Sequence, residues 1–104
     1  MGEMVPYYLS RSDKLLSGNR TTKLRDVYKN NVYITTAGFF TLDAMHTLVN
    51  ITDTRRIIYS VDFPFGRNED GKAFMEMLRA SGLVTLDQFK DIAFRNAKRL
   101  LRIR

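Results

Sequence analysis

Asp62 is the residue in this sequence best placed to act on a ligand. It is a lone carboxylate closing the apolar, β-branched run Arg56-Ile57-Ile58-Tyr59-Ser60-Val61, and Phe63-Pro64-Phe65-Gly66 follows it. The C-terminal end of a buried parallel strand is where barrel folds hold their active-site groups; a turn or capping aspartate has the same local sequence and is the default reading of these residues alone. Glu3 is the second carboxylate of interest, although on a first helical turn its default role is to complement the helix dipole. The single histidine, His46, falls inside a helical pattern away from any strand end, which makes it a surface or packing residue and not a ligand. The absence of cysteine excludes a thiolate metal site, a cysteine nucleophile and a disulfide framework. One strand-end carboxylate is fewer than the three or four donors that a divalent metal site requires.

The elements that must position Asp62 can be read from pattern. Asn31 to Thr36 is β-branched and aromatic and is bounded by Ala37-Gly38, so it is expected to be a strand, as is Arg56 to Val61. Between them Thr41 can cap a helix that carries Asp43 near its positive end and Ala44, Met45, Leu48 and Ile51 at helical spacing. A crossover of that length predicts parallel pairing in a right-handed βαβ unit, which brings Asp62 and Gly38 to one rim. Phe39 and Phe40 beside Gly38 would line a ligand ring or fill core. Both strands are apolar almost throughout, as strands covered on both faces are.

The flanking segments are helical. Glu3 to Leu16 tolerates Pro6 in its first turn, Ser17 to Thr22 has turn composition, and Leu24 to Lys29 allows a short helix. Glu69 to Ala80 carries Phe74, Met77 and Leu78 and stops at Ser81-Gly82, and Thr85-Leu86-Asp87-Gln88 fits a capping box. The last helix presents Ile92, Ala93, Ala97, Leu100 and Leu101 as an apolar stripe. Its Arg95, Lys98, Arg99, Arg102 and Arg104 account for much of the +6 charge and read as a solvated face, a nucleic-acid surface being the alternative. Arg11 and Asp13 read as surface or interface charges.

At 104 residues and 44% hydrophobic, with seven Phe and five Tyr, the chain is one packed folding unit. It shows neither a signal peptide nor an apolar run approaching the roughly 20 residues of a membrane span, so a soluble, cytoplasmic protein without membrane partners is expected. Two strands cannot bury this many amphipathic helices, and a two-stranded parallel sheet has two open edges. A (β/α)8 barrel takes roughly 250 residues, of which two strand-plus-helix units and a preceding helix would occupy about what this chain provides.

Four segments carry a resemblance. Met1-Gly2-Glu3-Met4-Val5-Pro6-Tyr7 with Arg11 and Asp13, then Asn31 to Phe40, then Arg56 to Phe65, then Asn96-Ala97-Lys98-Arg99-Leu100-Leu101 look like consecutive motifs of the amidohydrolase-related family. That family includes γ-resorcylate, dihydroxybenzoate and aminocarboxymuconate-semialdehyde decarboxylases, and the aromatic-acid members are the nearer match. The resemblance covers essentially the whole chain. It implies an α/β fold, the C-terminal fragment of a TIM (β/α)8 barrel, with residues 1–104 forming one partial domain that runs from after strand six through strand eight and the C-terminal helices.

The resemblance also implies roles. In the family a Gly-His pair precedes the first of these segments and its histidine serves in proton transfer, so Glu3 would support that histidine. Val32 to Thr36 would be strand seven, and Asp62 would end strand eight as a metal ligand or acid–base partner. The complete family enzyme uses a divalent metal, Zn or Mn, to hold the carboxylate and neighbouring hydroxyl of a small aromatic acid. This chain has no counterpart to the family's metal-binding residues on strands one and five, so the isolated chain is expected to bind no metal and to be inactive. The alternative is a non-catalytic interaction module, associating with itself or with a full-length homologue through exposed strand edges. A nucleic-acid partner is not expected.

Overall fold

The structure, a computed structural model, describes residues 2, 4–16, 18 and 21–104. Helices α1 (Val5–Leu16) and α2 (Leu24–Asn31) precede strand β1 (Ile34–Thr35), and helix α3 (Leu42–Ile51) and a 3₁₀ turn (Thr54–Arg56) lead to strand β2 (Ile57–Ile58). Helix α4 (Asn68–Ser81) follows, then α5 (Leu86–Lys90), a π-helical segment (Asp91–Arg95) and α6 (Asn96–Leu101).

Local chemistry sets most of these boundaries. Thr41 caps α3 by accepting the Ala44 N–H. Gly82, at φ 72°, ends α4 in the left-handed conformation that favours glycine. The capping box at α5 is complete: the Thr85 hydroxyl accepts the Gln88 N–H at 3.2 Å and the Gln88 side chain accepts the Thr85 N–H at 2.9 Å.

The two strands pair in parallel, Ile34 against Ile57 and Thr35 against Ile58. They are shorter than the expected 31–36 and 56–61. Asn31 is still helical, with the Val32 N–H closing α2 onto the Tyr28 carbonyl, and Arg56 belongs to a 3₁₀ turn capped by Asp53. Past the ladder, pairing continues through a side chain: the Thr36 N–H donates to the Ile58 carbonyl at 3.1 Å, while its hydroxyl donates to the Ser60 carbonyl at 3.1 Å and accepts the Ser60 N–H at 3.2 Å. Ile34 and Ile57 are buried on one face, whereas on the other Thr35 is exposed and Ile58 half-buried, so the described residues cover only one face of the pair. The core gathers Ile57, Phe74, Leu78 and Ile92, all at 1% exposure or less. Met75 joins it, and Met77 points outward.

The outer edge of β2 is not open, contrary to the sequence expectation of two free edges. In an α-helix the Asn96 N–H would bond to the Ile92 carbonyl; here it reaches back one residue further, to Asp91. The Ile92 carbonyl instead accepts the Tyr59 N–H at 2.9 Å. The fully buried Asn96 side chain donates to the Thr54 carbonyl at 2.7 Å and the Ile57 carbonyl at 2.8 Å, and its oxygen accepts from Arg99 at 2.7 Å. Because Ile58 faces β1, its neighbours Ile57 and Tyr59 face away, and the C-terminal helix satisfies both. The Tyr33 and Thr35 side of β1 has no backbone partner among the described residues.

Candidate active-site rim

Asp62 lies just past the C-terminal end of β2 and Gly38 just past the C-terminal end of β1, so parallel pairing sets both on one rim. The Thr36–Ser60 bonds clamp the two chains together there. Asp62 has φ 67°, a left-handed backbone that aspartate tolerates better than most residues. Its carbonyl accepts the Gly66 N–H at 2.9 Å, which closes the segment Phe63-Pro64-Phe65 into a tight turn with a cis Phe63–Pro64 peptide. A Cβ at position 66 would come within 2.1 Å of the Val61 carbonyl oxygen, so only glycine closes this turn. The carboxylate is exposed, and so are Phe63 and Phe65, at 75% and 89%.

The aromatic pair after Gly38 divides. Phe40 turns into the core against Phe74, ring centroids 5.7 Å apart, and Phe39 remains exposed at the rim. Glu3, the other candidate site residue, lies outside the described residues. Gly2 beside it is buried against Ile34, close enough that a Cβ there would overlap the isoleucine side chain. His46 is exposed on α3, with its Nδ1 3.3 Å from the Asn50 amide, and is not brought to the rim. The Asp13 carboxylate accepts the Arg25 N–H and so joins α1 to the start of α2.

Among the described residues no three His, Asp or Glu side chains converge as a metal site would need. The donor set does not fit a divalent ion by itself: Asp62 offers one exposed carboxylate, and the remaining donors would have to come from residues other than these. Sequence reasoning assigned no role to Thr36, Ser60 or Asn96, which hold the rim strand in place. Asn96 had a signal, because it sits four positions after Ile92 on the apolar stripe, where a polar side chain must be buried with partners.

The architecture, parallel strands with a rim carboxylate and helices packed on one face, is that of part of a TIM barrel. No protein-family model matches the chain. The chain is 40% identical to decarboxylase orsB of Emericella nidulans over 108 aligned residues, covering 99% of this chain and 33% of that protein. Its fold matches a dihydroxybenzoic acid decarboxylase from Polaromonas sp. JS666, solved with bound manganese and the inhibitor 2-nitroresorcinol, at a TM-score of 0.82 and 24% identity over 98% of this chain and 32% of that one. It also matches 5-carboxyvanillate decarboxylase from Sphingomonas paucimobilis at a TM-score of 0.84 and 21% identity, over 99% of this chain and 32% of the other. The chain is therefore similar, from end to end, to amidohydrolase-related decarboxylases of aromatic acids, and it spans about a third of the length of the proteins it matches. None of its described helices is long and apolar enough to cross a membrane.

Proposed function

We propose that residues 1–104 act as the C-terminal third of a metal-dependent carboxy-lyase for hydroxylated aromatic acids, running from after barrel strand six through strand eight and the C-terminal helices. The observation that carries this reading is the left-handed turn that presents Asp62 past the end of β2, on the same rim as Gly38. Strand-end carboxylates at this rim are where barrel enzymes keep their reacting groups. Asp62 would be the metal-ligating or acid–base carboxylate, and Glu3 would support a proton-transferring histidine supplied from outside this sequence. The uncovered face of the strands, with Thr35 and Phe39 exposed, suits completion by further barrel strands.

The test is a chimera in which this chain replaces the matching third of decarboxylase orsB. It should bind manganese and decarboxylate a dihydroxybenzoate, and Asp62→Ala should reduce turnover by about a hundredfold or more. A chimera that folds and turns over equally well with and without the Asp62 carboxylate would overturn the proposal.

A further inference from the structure

The opposite ends of the strands carry a different constellation, one of guanidinium groups. Arg56 immediately precedes β2 and Tyr33 immediately precedes β1, and the Arg56 guanidinium lies over the Tyr33 ring at 5.1 Å. Arg56 is half-buried, yet among the described residues it forms no ion pair. Its neighbour Arg55 is held on Asp53 through Nε and Nη2, the shortest bond being 2.7 Å. Arg99, from α6, is fixed by the Asn96 oxygen at 2.7 Å and by Asp91 at 3.5 Å. Tyr33, Asp53, Arg55, Arg56 and Arg99 line one cleft of about 230 Å³. An adjoining cleft of about 280 Å³ shares Asp53 and Arg56 and adds Lys29.

Each feature bears on what would bind. A guanidinium has five N–H donors, of which the partners just named use only some on Arg55 and Arg99, so these groups are oriented in advance with donors to spare. Three arginines around one cavity suit an anion whose oxygens point in several directions, as a tetrahedral phosphate's do, better than a planar carboxylate that a single arginine can satisfy.

We propose that this cleft is a binding site for a small phosphate-type anion, with Arg56 as its principal ligand and Arg55 and Arg99 as flanking donors. The site lies at the opposite end of the strand pair from Asp62 and does not depend on the catalytic reading. Asp53 works against the anion: it orients Arg55 but places a negative charge in the lining.

Calorimetric titration of the 104-residue chain with inorganic pyrophosphate at low ionic strength tests this. Saturable one-to-one binding is expected, weakened about tenfold by Arg56→Gln. Asp53→Asn should tighten it several-fold, a gain that loss of folding could not produce. Arg104→Gln removes the same charge elsewhere and should leave it unchanged. The proposal is overturned by the absence of saturable binding, by equal weakening in Arg104→Gln and Arg56→Gln, or by Asp53→Asn that fails to tighten it. It is equally overturned if a single-stranded oligonucleotide binds much more tightly than pyrophosphate, since a polymer would then be the ligand.

Discussion

The stretch from β2 to α6 and helix α1 are both rich in large apolar side chains, and they use them differently. The first leaves Phe63 and Phe65 exposed in its rim turn and Leu86, Phe94 and Leu101 on its outer surface, but buries Ile57, Phe74, Leu78 and Ile92, with Asn96 among them, almost completely. Helix α1 buries Leu9 and leaves Tyr7, Tyr8, Leu15 and Leu16 each more than half exposed. Hydrophobic content is therefore not what makes a segment self-sufficient. The C-terminal region contains both sides of its own interface, a strand and the helix that satisfies the strand's edge. The amphipathic pattern of α1 is complete in sequence, but the described residues leave most of its large apolar side chains uncovered.

The sharpest way to break this comparison is Asn96→Leu. It leaves the buried Ile57 carbonyl without its donor, takes one of two donors from the half-buried Thr54 carbonyl, which keeps the Ile57 N–H, and should cost about 3 kcal/mol in urea unfolding. A loss below about 1 kcal/mol would mean that the strand edge is not what anchors the C-terminal half. Leu78→Ala, in the same core, should cost about 2–3 kcal/mol, whereas Leu16→Ala on α1 should stay within about 0.5 kcal/mol. Similar losses from these two leucines would erase the distinction between the regions. Thr85→Ala removes half of the capping box and should cost about 1 kcal/mol, measured as a shift of the thermal midpoint.

The smallest effect concerns pH. The Arg55 guanidinium bonded to Asp53 holds that carboxyl below its ordinary value of 3.8. A depressed carboxylate contributes stability above its unfolded pKa and loses it as pH falls through the folded value, here below about pH 4. Both partners are substantially exposed, so screening leaves little of this. Replacing Asp53 with Asn should flatten the acid limb of the stability profile by less than the Thr85→Ala effect, and an effect exceeding it would show a far stronger pair than this exposure implies.

What could be read from sequence was mostly local. The Gly82 stop, the Thr41 and Thr85 caps and the parallel pairing across α3 depend on a few adjacent residues or on one connection length, and all appear as expected. The placement of Asp62 at a strand end followed from the same pattern, although its chemical role rests on the resemblance and Glu3 lies outside the described residues. Met75 and Met77 were not separable, because each sits about 80° from the Phe74–Leu78 midline on opposite sides, and only tertiary packing chooses between them. The strand lengths were overestimated because β-branched composition does not register that Arg56 is drawn into a turn by Asp53, or that Thr36 pairs with Ser60 through its hydroxyl. The π-helical segment has no composition signal, since its cause is the Tyr59 N–H, far away in sequence.

That segment also makes the helix sensitive to counting. A π turn is an α-helix carrying one residue beyond its regular phase, so deleting any single residue between Asp91 and Arg95 would let the backbone relax into an ordinary helix. Four residues at about 100° each sweep nearly the same angle as the five of the π turn, so everything after the deletion would keep its phase about the helix axis. The Ile92 carbonyl would instead be taken up by the regular helix, and the Tyr59 N–H would lose its acceptor at the strand edge, with no side chain altered. Along these five residues the number of positions matters as much as their identity, and an alignment of related chains should tolerate substitutions there more readily than a one-residue gap.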